Sequence, residues 1–239
     1  MWSGPRNVST ALMRAFENRP DAVVVDEPFY AHYLAATGYE HPGRDEILAA
    51  QAADEAEVVA SLLGPPPAKA GRAPRIFYQK HMSQHLLPDM DRSWLDSVRH
   101  ALLIREPAAV IASYSRVIPN PSAADLGYAQ LTEIHGRVGA PPVVDARDLL
   151  ANPRAMLERL CERLGIGFDD SMLAWPPGRR DSDGVWAPHW YANVERSTGF
   201  APPPPPPRSG EVELPPELQP VLAECQEHYR ALYSVRLEV

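Results

Sequence analysis

The sequence predicts a three-layer α/β/α fold with a central, mostly parallel sheet of about four to five strands. Three observations carry that expectation. Short β-branched or aliphatic runs recur at 22–26, 75–79, 101–104 and 142–146, and stretches with helical spacing lie between them. Strands that alternate with helices make parallel βαβ units, whose helices cover both faces of the sheet. The runs also end in polar residues, at the edge where an α/β sheet carries its site.

Each element follows from local chemistry. The segment Trp2-Ser3-Gly4-Pro5-Arg6-Asn7-Val8-Ser9-Thr10-Ala11-Leu12 reads as strand, tight loop, then helix. Gly4 and Pro5 break the strand, and Asn7 or Ser9 is the expected helix cap. A strand ending at Ser3 has almost no length, so either the central strand is very short or the natural start lies upstream. Val8, Ala11, Leu12, Ala15 and Phe16 share one helical face, and the helix stops near Asn18, before Arg19-Pro20.

The run 22–26 has the apolar character of a strand buried on both faces, and it ends in Glu27-Pro28-Phe29-Tyr30. Residues 45–63 read as one helix, ended by Gly64-Pro65-Pro66-Pro67, which opens a linker to Pro74. The strand 75–79 runs directly into Lys80, His81 and Met82, with His85 beyond. The strand 101–104 ends in Arg105-Glu106-Pro107, where the proline suits a first helical turn. A helix over 122–138 follows, then the strand 142–146. Asn152-Pro153 starts a helix that Gly165 closes. Residues 175–200 lack periodicity and read as loops over the sheet edge. Pro202 to Pro207 form a run expected to be a polyproline II rod about 19 Å long at roughly 3.1 Å per residue, spacing out a terminal helix from Pro215. The α/β domain is thus expected over 1–200, with the proline-rich spacer and last helix (201–239) packing on it.

Composition narrows the functional classes. A chain of 239 residues with 45% hydrophobic residues can bury a full core. Its net charge of −8 argues against nucleic-acid binding, so any anion must be met by locally concentrated positive charge. No apolar run reaches membrane-spanning length and no leader opens the chain, which makes the cytoplasm the expected compartment. Cys161 and Cys225 read as reduced and structural.

In a parallel sheet the strand ends gather on one rim. There the first loop brings Arg6, Ser9 and Thr10 with a helix N-terminus, the second strand brings Glu27, the third Lys80 and His81, and the fourth Arg105. Cations, N–H groups and a base on one rim suit transfer of an anionic group between oxygens. A Walker loop would need G-x-x-x-x-G-K-[ST]; here the second glycine is missing and the cation precedes Ser9-Thr10. That favours transfer without metal. A P-loop kinase-like phosphoryl transferase using ATP and magnesium, or a nucleotide-binding protein without turnover, stays open as the alternative.

These residues resemble the sulfotransferases that use 3′-phosphoadenosine 5′-phosphosulfate (PAPS), a family with a P-loop nucleotide-binding type of fold. Pro5-Arg6-Asn7-Val8-Ser9-Thr10 is similar to their P-[KR]-S-G-[ST]-[ST] loop, with Val8 where glycine is usual. Arg105-Glu106-Pro107-Ala108-Ala109-Val110-Ile111-Ala112-Ser113-Tyr114 resembles their R-x-P-x-x-x-x-x-S-Y segment, whose arginine and serine hold the nucleotide 3′-phosphate. The resemblance implies PAPS as co-substrate with no metal. It implies that Arg6, Asn7, Val8, Ser9, Thr10, Arg105 and Ser113 hold the nucleotide, with Arg196 and Ser197 from a late loop. Asp26-Glu27-Pro28 looks like the G-E-P segment of bacterial carbohydrate sulfotransferases, whose glutamate is the proposed base. Glu27 is therefore the favoured base, with His81 second and His85 third. Arg6 and Lys80 are expected to stabilise the leaving phosphate. The acceptor expected is a small-molecule hydroxyl compound, with an apolar or ring-bearing one hinted at by Phe29, Tyr30, Tyr33 and Trp186. A homodimer is left open.

Overall fold

Five parallel strands, β1 (Trp2–Ser3), β2 (Ala22–Asp26), β3 (Ile76–Met82), β4 (Leu102–Ile104) and β5 (Val143–Asp145), lie in the order β2-β3-β1-β4-β5 in a computed structural model that describes residues 1–69, 71, 73–202 and 214–239. The shortest strand is therefore the central one. Trp2 pairs with His81 on one side and Leu102 on the other, and the register sets Asp26 beside Lys80 and Ile104 beside Asp145. The sheet is α/β and parallel throughout, as the alternation of runs predicts.

Helices cover both faces. In chain order they are α1 (Ser9–Glu17), α2 (Tyr30–Thr37), α3 (Arg44–Ala50), α4 (Glu55–Leu63), α5 (Pro107–Tyr114), α6 (Ala123–Leu126), α7 (Tyr128–Arg137), α8 (Ala146–Ala151), α9 (Pro153–Leu164), α10 (Ala187–Trp190), α11 (Ala192–Glu195) and α12 (Gln219–Tyr233). The pleat sends Leu102 and Ile104 into one core with Ile111, Leu131 and Leu232, and Leu103 into the other with Leu12, Phe16 and Leu157. Burial on both sides explains why the strands read as continuous apolar runs.

Several expectations need correction. Residues 45–63 are two helices, because the Asp54 side chain accepts from the Glu57 N–H and starts α4 afresh. Residues 122–138 are broken at Gly127, whose φ is 69° and which has no room for a Cβ beside the Ser83 hydroxyl. Helix α2 gave no periodic signal, and the stretch read as loops contains α10 and α11. The third strand runs on to Met82, so Lys80 and His81 lie within it. Within the proline run only Pro202 is a described residue, and the polyproline expectation for 203–207 lies outside the described part. The terminal helix packs against α5 and α7, burying Cys225, Tyr229 and Leu232. Among the described residues no helix is long and apolar enough to cross a membrane.

Candidate active site

A cleft of about 890 Å³ opens at the carboxyl ends of the strands, and the loop between β1 and α1 forms its floor. A Cβ on Gly4 would come within 2.5 Å of the Leu126 carbonyl oxygen, so only glycine lets the loop turn there. Arg6 and Val8 both adopt left-handed backbone, with φ of 57° and 52°. The position where glycine is usual in such loops therefore keeps the glycine conformation, at a cost a β-branched residue feels. Neither expected cap is used. Asn7 instead donates from Nδ2 to the Leu103 carbonyl at 2.6 Å, which staples the loop to β4. Val8 stands at the cap of α1 with no side-chain bond, and the first turn carries no acidic residue. The first N–H groups of α1 thus face the cleft with Ser9 and Thr10.

The positive wall is built from three elements. Arg105, at the end of β4, donates from Nη1 to the Arg6 carbonyl at 2.6 Å. Arg6 donates from Nε to Oγ of Ser113 on α5 at 3.0 Å. Arg147, in the first turn of α8, completes the rim, and among the described residues none of these three arginines is paired with a carboxylate. Burial pushes the Arg6 guanidinium down, and the nearby charges of Arg105 and Arg116 push it the same way; burial lowers Arg105 as well. Like charges held together beside free N–H groups form a site for an anion.

The opposite wall holds the carboxylate. β2 ends as Glu27 takes a left-handed backbone, φ 41°, while its N–H still bonds the Lys80 carbonyl at 2.9 Å. The turn swings the Glu27 side chain into the cleft. Lys80 is 1% exposed, and its ammonium donates to Asp26 at 2.8 Å, to Oε1 of Glu27 at 2.6 Å and to the Tyr191 hydroxyl at 2.8 Å. Tyr191 donates to Asp26 at 2.6 Å and receives Nε1 of Trp186 at 3.1 Å. Burial raises the Glu27 carboxyl above the usual range, opposed by Lys80 and assisted by Asp26. The carboxylates hold Lys80 well above the ordinary lysine value against the cost of its burial.

Most residues expected from the sequence meet here: Arg6, Asn7, Val8, Ser9, Thr10, Glu27, Lys80, His85, Arg105, Ser113 and Ser197 all line the cleft. His81 does not. Alternation along β3 sends its ring to the far side of the sheet, stacked on Trp2 at 4.3 Å, with Nε2 beside Gln79. Lys80 is not free to meet a leaving phosphate, since three protein groups take its three donors. Arg196 is exposed outside the cleft and bonds Asn193, and Ser197 spends its hydroxyl on Trp175 and the Val194 carbonyl. Tyr191, Gln84 and Arg147 escaped sequence reasoning. Tyr191 comes from an aperiodic stretch, and nothing in the sequence pointed to it.

A parallel α/β sheet with a tight loop after its central strand carries clustered arginines and a buried carboxylate on one rim. The chain belongs to the sulfotransferase domain family, whose model matches residues 1–220. It is 40% identical over 212 residues to branched-chain-amino-acid aminotransferase-like protein 1 of Arabidopsis thaliana and 37% identical to protein 2 of the same plant. Each match covers 87% of this chain but only 37% of the relative, so the chain spans little more than a third of those proteins. The fold is similar to the sulfotransferase domain of the Synechococcus PCC 7002 olefin synthase, with a TM-score of 0.56 and 20% identity over 96% of this chain and 92% of that one. It is also similar to the sulfotransferase domain from the curacin biosynthetic pathway, with a TM-score of 0.53 and 13% identity over 94% and 95%.

Proposed function

We propose that this chain transfers a sulfuryl group from PAPS to a hydroxyl of a small-molecule acceptor. The observation that carries this is the Arg6–Ser113–Arg105 cluster closing on the loop, where three elements bring unpaired positive charge and a hydroxyl to one point. The residues fit a doubly phosphorylated nucleotide: Arg105 and Ser113 would hold one phosphate, and the α1 N–H groups with Ser9 and Thr10 the other. The donor supplies an activated sulfuryl group on a phosphate leaving group.

The remaining work falls to the chain's own side chains. Lys80 and Tyr191 meet Oε1 of Glu27, which leaves Oε2 to take the acceptor's proton. As the acceptor oxygen bonds to sulfur, the bond from sulfur to the donor's phosphate oxygen breaks, and Arg6 stabilises the charge left on that phosphate. Two buried, free cysteines fit a reducing compartment such as the cytoplasm. The test is direct: incubation with donor labelled in its sulfuryl group should move label into a hydroxyl compound, and Glu27→Gln should abolish it. Label retained on the nucleotide across a broad acceptor panel would reject the proposal.

A further inference from the structure

Beyond Glu27 the cleft changes character. Tyr30, Tyr114 and Trp190 line it with Met82, and Trp190 lies stacked against Tyr114 with ring centres 6.1 Å apart. His85 is sandwiched between Tyr30 and Tyr33, 4.7 Å from each, and His41 meets the Tyr30 hydroxyl at 2.9 Å. Lys80 shares the cleft with these rings, but its ammonium is fully engaged by Asp26, Glu27 and Tyr191. Burial lowers His41 and His85 below the ordinary histidine range, so both stay neutral near pH 7. Beside these rings an anionic acceptor would meet neutral histidines and an ammonium already engaged.

Three buried polar atoms are left over at this end, Nε1 of Trp190 among them. Nδ1 of His85 and Oε1 of Gln84 have no hydrogen-bond partner, yet their side chains line the cleft and the residues are only 2% and 6% exposed. Buried polar atoms are normally satisfied, so unpartnered atoms on side chains that line a cavity point to a polar group of a ligand there.

We propose that the acceptor is an uncharged aryl compound that presents its reacting hydroxyl to Glu27 and a second hydroxyl to Gln84 and His85. This rests on the sulfuryl-transfer reading of the same cleft. The rings of Tyr30, Tyr114 and Trp190 take its flat face, where offset or edge contacts add to the burial of area. The second hydroxyl fills the open hydrogen bonds and fixes which oxygen faces the base.

The test measures binding by calorimetry, with and without adenosine 3′,5′-bisphosphate, for five probes: 2,3-dihydroxynaphthalene, 2-naphthol, decahydro-2-naphthol, 3-hydroxy-2-naphthoate and choline. The dihydroxy compound should bind tightest and 2-naphthol about threefold to tenfold weaker, the scale of one neutral hydrogen bond. The saturated alcohol should bind weaker again by about the same factor, and the carboxylate and choline by more than about tenfold. Gln84→Ala should erase the advantage of the second hydroxyl while 2-naphthol and nucleotide binding stay unchanged. Equal affinity for the saturated alcohol, or preference for the carboxylate or choline, would overturn the aryl assignment. An undiminished advantage in Gln84→Ala would overturn the role of that side chain. Absent nucleotide binding would count against the donor reading alone, because the probes still report on the free protein.

Discussion

Lys80 holds the Glu27 carboxylate at 2.6 Å, with the ammonium buried and the carboxylate reaching only the cleft, while Asp26 takes the same ammonium at 2.8 Å. One cation between two carboxylates keeps a buried acid ionisable without spending it in a simple pair. The register of β2 on β3 creates the arrangement, since Asp26 and Lys80 are direct cross-strand neighbours. Glu27 joins them only because its backbone turns left-handed at the strand end.

Glu27→Gln keeps the shape of the side chain and removes the base. Turnover should fall by about 10²–10⁴-fold, the range for general-base catalysis, while nucleotide affinity stays unchanged. Steady-state kinetics beside calorimetry checks both halves. Surviving turnover would remove Glu27 from the role.

Lys80→Met strands two buried carboxylates, and chemical denaturation should show a loss of about 3–5 kcal/mol. Tyr191→Phe is milder. It leaves the ammonium and Asp26 each short of a partner, a cost of about 1–3 kcal/mol. The Tyr191 hydroxyl also lowers the Glu27 carboxyl, so its loss should raise that group further and move the acid limb of kcat/KM to higher pH. A purely structural tyrosine would lower stability and leave the limb in place.

Burial holds His81 and His85 well below the ordinary histidine value, and lowers His41 and His100 in the same sense. Their folded forms are neutral where the unfolded chain takes protons. The stability they contribute is therefore complete above about pH 6.5 and drains away as pH falls below it, by up to about 1.4 kcal/mol per pH unit for His81 and for His85. Glu27, raised by burial, acts in the opposite sense above the ordinary carboxyl value of 4.5. His81→Leu should flatten the acid slope of the melting temperature between pH 6.5 and 5 and leave turnover intact. An unchanged slope would show that His81 is already protonated in the folded chain.

Part of the cationic wall is legible in the sequence because Arg105 and Ser113 lie on one local strand–helix unit. An arginine at a strand end and a serine eight residues on, two turns into a helix, both face the cleft, and Arg6 from the distant first loop bridges them. The parallel sheet was legible for a similar reason, since a strand covered on both faces must be apolar throughout. His81 leaves the cleft because β3 runs to Met82 and alternation decides which of two adjacent side chains faces it, whereas Lys80 faces the cleft but is taken up by Asp26, Glu27 and Tyr191. Tyr191 was invisible. It reaches Asp26 across 165 residues, a contact that no periodicity encodes.

Calorimetric titration of adenosine 3′,5′-bisphosphate into the wild type and Arg105→Ala decides whether the arginine wall holds the donor nucleotide. The wild type should bind it saturably and the variant should lose about 1.5–3 kcal/mol, the scale of hydrogen bonds to charged groups. Equal affinity in the two proteins, or no binding to either, would contradict that role.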